Sequence, residues 1–171
     1  MMVNRYDAHP IGPDGAEGPT VAFAQQKRMA LREQVTFYTD DTQRDVLFSF
    51  KARQMMDVSA TYDVSDAAGT VLGTFRKDFG ASLLRSTFHL AQEGAPEATG
   101  AERSMAVALV RRFADVPLPV HFDFTAGGQP VMSVTRAFAL RDAYRVEVPA
   151  PWLDRRLALA MAVGLDALMA R

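Results

Sequence analysis

Between residues 21 and 148, apolar side chains recur at every second position rather than at every third or fourth. Phe48 and Phe50 lie on one side of an extended chain, and Phe122 and Phe124 repeat the pattern around a single polar residue. This alternation predicts β-strands that each have one buried face and one wet face. Gly/Pro/Asp-rich turn signals separate the strands, at Ser65–Gly69, Glu93–Pro96 and Gly127–Pro130, which favours antiparallel hairpins.

The last part of the chain follows a different pattern. The run Leu157–Met169 is apolar around the whole helical wheel except at Asp166, whereas a surface helix has a single apolar stripe. Two prolines and Asp154, a candidate N-cap or first-turn acid, precede it. At about 1.5 Å per residue the run spans roughly 20 Å, short of the ~30 Å needed to cross a membrane. We therefore predict a buried central helix over about 152–170.

The predicted core of this helix consists of its large side chains together with one glycine, namely Leu157, Leu159, Met161, Val163, Gly164, Leu165 and Leu168. We expect inward aromatic residues such as Phe122 or Phe124 to press on the turn at Gly164, where a larger side chain would overpack the interior.

The predicted architecture is mainly β: a closed antiparallel β-barrel wrapped around this hydrophobic helix. A closed barrel explains both the many short strands with solvent-exposed outer faces and the helix that has no polar face. Closure removes the sheet edges, and the inward side chains surround the helix. A weak repeat spaces Lys27, Lys51 and Lys77 at similar intervals and fits a recurring strand–turn–strand unit. Residues 1–20 are rich in proline and glycine and are predicted to be a disordered leader, which leaves 21–171 as a single domain.

Four segments together resemble the LURP-one-related family: Gln26–Arg28, Tyr62–Lys77, Arg141–Val148 and Leu153–Leu168. That family belongs with the tubby C-terminal domain and the phospholipid scramblases, and the resemblance covers nearly all of 21–171. It implies a barrel of about twelve strands around a central C-terminal helix, in agreement with the residue pattern. The tubby branch binds phosphoinositide head groups, whereas many bacterial and plant LURP-one-related proteins have no defined activity. This chain lacks the cysteine cluster of the scramblases, so acylation and lipid scrambling do not carry over.

The amino-acid composition limits the functions that we expect of this protein. The formal charge is -1, so no overall field attracts nucleic acid, and any anion site must be local. The absence of cysteine excludes disulfides and thiolate metal sites and fits the reducing cytoplasm. Nucleophile-elbow, phosphate-loop and zinc-protease motifs are missing from the sequence. We therefore expect no catalytic residue, metal or cofactor. The excess of arginine over lysine and the high alanine content indicate a bacterial source.

Basic residues provide the functional hypothesis. Arg136, Arg141 and Arg145 cluster in the last predicted hairpin, and Arg76 and Lys77 recur at a repeat position. If they meet at one rim of the barrel, they are suited to an anionic phospholipid head group at the membrane periphery, because guanidinium groups bind phosphate with two hydrogen bonds. The alternatives are a solvated face of mixed charge and a protein-interaction or scaffold barrel that has no small ligand.

Overall fold

The computed structural model describes residues 3–27, 34–53, 61–78, 86–104, 121–137 and 143–169. The first six strands are β1 (Val3–Ala8), β2 (Ala22–Lys27), β3 (Val35–Tyr38), β4 (Val46–Ala52), β5 (Thr61–Asp66) and β6 (Val71–Asp78). The remaining strands are β7 (Thr87–Ala91), β8 (Ala98–Glu102), β9 (His121–Ala126), β10 (Gln129–Ala137) and β11 (Ala143–Glu147). One helix, α1 (Arg155–Met169), completes the described elements.

All described strands form one antiparallel sheet in which each strand pairs with its neighbours in sequence. The order β1 to β11 is a continuous antiparallel meander. Phe50 pairs with Val64 and Tyr62 with Phe75, so large inward side chains meet across neighbouring strands. The mainly β fold is confirmed.

The prediction of a closed barrel is wrong for this structure. Among the described residues, β1 and β11 are the two edges of an eleven-stranded sheet and do not pair with each other. The edges meet instead through the helix. The hydroxyl of Tyr6 in β1 donates to Asp166 at 2.8 Å, and the hydroxyl of Tyr144 in β11 donates to the same carboxylate at 2.5 Å. Side chains, rather than a backbone ladder, thus draw the two edges together.

The core lies between the inner face of the sheet and α1. The inward phenylalanine rings of the central strands are buried and contact their neighbours: Phe50 packs edge-on against Phe75 at 5.2 Å, and Tyr62 stacks on Phe75 at 4.9 Å. On the helix, all the predicted core residues are buried except Leu159, which is partly exposed although it packs against the core.

The start of α1 is fixed by Asp154, as predicted. Its carboxylate accepts a hydrogen bond from the backbone N–H of Arg156 at 2.8 Å, which is the geometry of an N-cap. The Arg156 guanidinium also donates a hydrogen bond to the same carboxylate at 2.7 Å. These bonds lower the pKa of Asp154, and the side-chain bond from Arg156 is the largest cause. Within the described part of the chain, no helix combines the length and hydropathy of a membrane span.

Two glycines mark the closest contacts in the core. A Cβ atom on Gly164 of α1 would lie 2.7 Å from a ring carbon of Phe75, so the aromatic residue at this turn is Phe75 and not Phe122 or Phe124. Phe124 instead covers Gly100 on the neighbouring strand, where a Cβ atom would lie 2.2 Å from its ring. The expectation named the wrong ring because sequence alternation shows which residues face inward, but not which strand lies against a given helical turn.

In the structure, the segment predicted to be a disordered leader contains the first strand. Val3–Ala8 pairs along its whole length with β2, and residues 9–20 form a turn in which Ile11 bridges Glu17. The strand was missed because its inward positions, Asn4, Tyr6 and Ala8, are too polar or too small to give an apolar alternation. Tyr6 supplies the specific contact that holds it.

Candidate functional site

The alternating strand directions give the sheet two ends. The ends of β2, β4, β6, β8 and β10, the starts of the strands that follow them and the C-terminus of α1 lie at one end. We call this the basic end. The opposite end, which contains the turns 39–45, 67–70 and 92–97 and the start of α1, is called the acidic end.

Charge is strongly separated between these ends. The described basic residues at or near the basic end are Lys27, Lys51, Arg53, Arg76, Lys77, Arg103, Arg136 and Arg145, against the acidic residues Asp63, Asp78, Glu102, Asp123 and Asp166. The acidic end has Asp7, Asp14, Glu17, Asp40, Asp41, Asp45, Asp66, Glu93, Glu97, Glu147 and Asp154, against Arg5, Arg44, Arg155 and Arg156. Among the described residues, charge is therefore distributed unevenly along the strands, although the formal charge of the whole chain is only -1.

Arg76 and Lys77 share this end but lie on opposite faces. Arg76 is on the outer face opposite His89, and its guanidinium lies 3.7 Å from Glu97. Lys77 is on the inner face opposite the buried Phe88, with its ammonium 5.9 Å from the ring centroid. Because neighbouring residues in a strand point in opposite directions, these two cations do not form one site.

Lys77 instead supports the helix. Its ammonium group donates to the backbone carbonyl of Leu168 at 3.5 Å, near the C-terminus of α1. The last carbonyls of a helix have no partner within the helix and have a partial negative charge, so a cation is stabilising there. The described contacts of Lys77 are therefore structural.

The predicted arginine cluster of the last hairpin is divided as well. Arg136 pairs with Tyr144 on the inner face, and its guanidinium carbon lies 6.0 Å from that ring. Arg145 pairs with Thr135 on the outer face and is exposed. Arg141 lies outside the described residues. A single clasp made by the three arginines is thus not formed by the two that are described.

Most outward cations of the basic end have a carboxylate partner. Arg53 donates to both oxygens of Asp63 at 2.8 and 2.9 Å, and Arg103 binds Asp123 through two bonds of 2.7 and 2.8 Å. Lys51 and Arg145 are exposed and form no ion pair with any described residue. Within the part of the chain that the structure describes, these two outward side chains at or near this end are available to an external anion.

Lys51 also borders an open groove on the outer face of β3 to β6. Its volume is about 740 Å³, and its wall combines hydroxyl groups, the Arg53–Asp63 pair and exposed apolar side chains. The lining includes Thr36, Tyr38, Val46, Ser49, Lys51, Arg53, Asp63, Ser65 and Val71. The sequence analysis missed this groove because its wall combines the outer faces of four strands, and their pairing is not visible in the sequence. The repeat position of Lys51 was the available signal.

One hydroxyl–imidazole–carboxylate chain occurs on the outer face of β9 and β10. Thr135 Oγ1 lies 3.0 Å from Nδ1 of His121, whose Nε2 lies 3.1 Å from Asp123. This order resembles that of hydrolytic triads. The backbone amides around it are used in strand pairing, so they offer no oxyanion site, and Arg103 already neutralises Asp123 and lowers its pKa. Among the described residues, no group of three or more His, Asp or Glu is arranged to hold a metal ion.

Comparison with known proteins gives one result. The model of the LURP-one-related family matches residues 20–166, which include β2 to β11 and most of α1. No curated protein and no solved structure matches the chain. The match covers well over half of the sequence and confirms the resemblance of its strands and C-terminal helix. The chain belongs to the LURP-one-related family.

Proposed function

We propose that this protein is a non-enzymatic module that docks through its basic end onto anionic phospholipid head groups at the periphery of a cytoplasmic membrane surface. The observation that supports this proposal is the separation of charge between the two ends, with exposed Lys51 and Arg145 unpaired by described carboxylates. Each Lys or Arg near an anionic membrane contributes about 1 kcal/mol, and the acidic end is repelled. The field therefore both attracts and orients the molecule.

The proposed contact is a charged surface and not a closed pocket. Arg76 and Arg145 point outwards from strands that are five positions apart in the sheet, so a single phosphate cannot join them. Many weak contacts at a rim are suited to a surface with many head groups. This differs from the initial hypothesis, in which a few cations converged on one anion.

Vesicle flotation tests the proposal. We expect the chain to float with vesicles that contain anionic lipid, not with neutral vesicles, and retention to fall steeply as salt is raised. Lys51→Glu with Arg145→Glu should reduce retention at least about ten-fold, because the field at the contacting surface is reversed. The matched control is Arg44→Glu with Arg155→Glu, which makes the same change in charge at two exposed positions of the acidic end.

The control variant should retain binding. Equal losses in both variants would show that only net charge matters and would contradict a docking surface. If the unmodified chain does not float, the head-group proposal fails, and the alternative, a protein-interaction or scaffold module, becomes the better account.

A further inference from the structure

The first strand lies outside the residues that the family model matches. The family match begins at residue 20, whereas β1 spans Val3–Ala8 and pairs only with β2, from Val3 opposite Lys27 to Ala8 opposite Ala22. Among the described strands it therefore lies at the edge of the sheet. An edge strand is held by one neighbour only, so its detachment breaks one ladder.

The strand is also shallowly seated. None of the side chains from Asn4 to Ala8 is buried, whereas the inward side chains of central strands are almost fully enclosed. Apart from the ladder, its anchors are the Tyr6–Asp166 hydrogen bond and the packing of Tyr6 and Ala8 against the core. The Arg5 guanidinium also holds it, with its carbon 5.0 Å from the ring centroid of Phe23 and a nitrogen 3.8 Å from Asp41. Segments with little apolar burial open at a lower free-energy cost than the whole fold.

β1 pairs with the edge of β2, where several apolar residues are buried. In β2, Ala22 and Phe23 are each 2% exposed and Ala24 is fully enclosed. Removal of β1 would expose this apolar strand together with a row of unpaired backbone groups. Such an edge accepts an incoming strand. The carboxylate of Asp166 adds a selective position, because it accepts a tyrosine hydroxyl at a defined place along the strand.

The connection after β1 is long enough to carry the strand to another molecule. Residues 9–21 contain Pro10, Pro13 and Pro19 and are folded on themselves through the Ile11–Glu17 bridge and other backbone hydrogen bonds. Once these bonds open, the extended segment reaches about 40 Å at ~3.3 Å per residue. The donor known to fit this edge is β1 itself, with Tyr6 in register for Asp166. A second copy of the chain carries the same strand.

We propose that the edge of β2, together with Asp166, is a strand-accepting site that takes β1 from a second copy of this chain. If two chains exchange this strand reciprocally, they form a two-fold dimer. Each β1 makes the same contacts with β2 as in the monomer, but its loop runs to the other chain. A tethered strand has an effective concentration on the order of mM, so the monomer dominates in dilute solution and exchange grows with concentration.

The complete absence of cysteine allows a direct test on the full-length chain. Arg5 and Gln25 are exposed partners in the β1–β2 register, at a separation that suits a disulfide. Chains with Arg5→Cys and tagged chains with Gln25→Cys are mixed at rising concentration and oxidised gently. We expect a mixed disulfide dimer, identified by its mass, whose yield rises with protein concentration and exceeds that of the two symmetric dimers.

The matched control places Ser49→Cys and Ser65→Cys, which are partners on the central strands β4 and β5, on separate chains. These strands cannot exchange, so the control measures chance collisions. A chain that carries both Arg5→Cys and Gln25→Cys should form the internal disulfide when dilute, which checks the register. A mixed dimer at the control level, or no internal disulfide in the double variant, would overturn the proposal.

Discussion

Gly164 is the position where the packing of helix against sheet makes the sharpest prediction. A Cβ atom there would lie 2.7 and 2.8 Å from two ring carbons of Phe75, where carbon atoms ordinarily stay about 3.5 to 4.0 Å apart. The ring has little freedom to retreat, because it is fully buried between a stacked Tyr62 and an edge-on Phe50. Gly164→Ala therefore overpacks the core.

Two opposing effects determine the magnitude. Alanine is the better helix former by about 1 kcal/mol, whereas overpacking costs about 1 to 3 kcal/mol. We expect a net loss of up to about 2 kcal/mol for Gly164→Ala and a larger loss for Gly164→Leu. Ala167→Gly is the matched control in the same helix, since it is a half-buried position that measures the propensity difference away from the ring.

Urea unfolding followed by the fluorescence of the single tryptophan, Trp152, and by circular dichroism gives these free energies. In a Phe75→Leu background the ring is smaller, so Gly164→Ala should become neutral or stabilising there. The coupling between the two positions should reach about 1 to 2 kcal/mol. A gain of about 1 kcal/mol for Gly164→Ala in the unmodified chain, the value for an exposed helix, would refute the close packing of α1 on β6.

Four further substitutions test other contacts. Asp154→Ala should cost about 1 kcal/mol by loss of the helix cap. The folded-state pKa of the Asp154 carboxyl is lowered from its ordinary value near 3.8, so its contribution to stability is present above that value and is lost as pH falls. The stability of the variant should therefore fall less steeply than that of the unmodified chain as pH is lowered. Tyr6→Phe and Tyr144→Phe should each cost about 1 kcal/mol in urea unfolding, and the double variant should depart from additivity because both hydroxyls share one carboxylate. Burial, followed by that carboxylate, raises the pKa of Tyr6, so its absorbance should not titrate with that of an exposed tyrosine, and early titration would contradict the contact. Lys77→Met should lower thermal stability and leave vesicle retention largely unchanged; selective loss of retention would show that this ammonium group contacts the ligand.

Most of the strands and the helix could be predicted from residue types because burial repeats with a fixed period. Phe48 and Phe50 face inward as their alternation indicates, and the apolar run after Asp154 is the enclosed helix. The first strand could not be found in this way, because an edge strand needs little apolar burial and Tyr6 is held by a hydrogen bond. Closure is likewise a property of edge pairing, which residue types do not determine.

The candidate site was less predictable because it depends on register. The opposite orientation of Arg76 and Lys77 follows from their being neighbours in a strand and was available from sequence. The separation of Arg136 from Arg145 required the pairing of Arg136 with Tyr144. The charge asymmetry between the two ends is visible only when strand directions are known, because acidic and basic residues alternate along the chain and cancel in the total.

The orientation of the molecule on an anionic surface is the most direct test of the proposed function. In the cysteine-free chain, Gln34→Cys at the basic end and Ala68→Cys at the acidic end place an environment-sensitive fluorophore at two exposed positions. With anionic vesicles, the emission of the Gln34→Cys label should shift to shorter wavelength, and that of the Ala68→Cys label should stay constant; neutral vesicles should change neither. A shift confined to the Ala68→Cys label, or the absence of a shift at both positions, would contradict docking through the basic end.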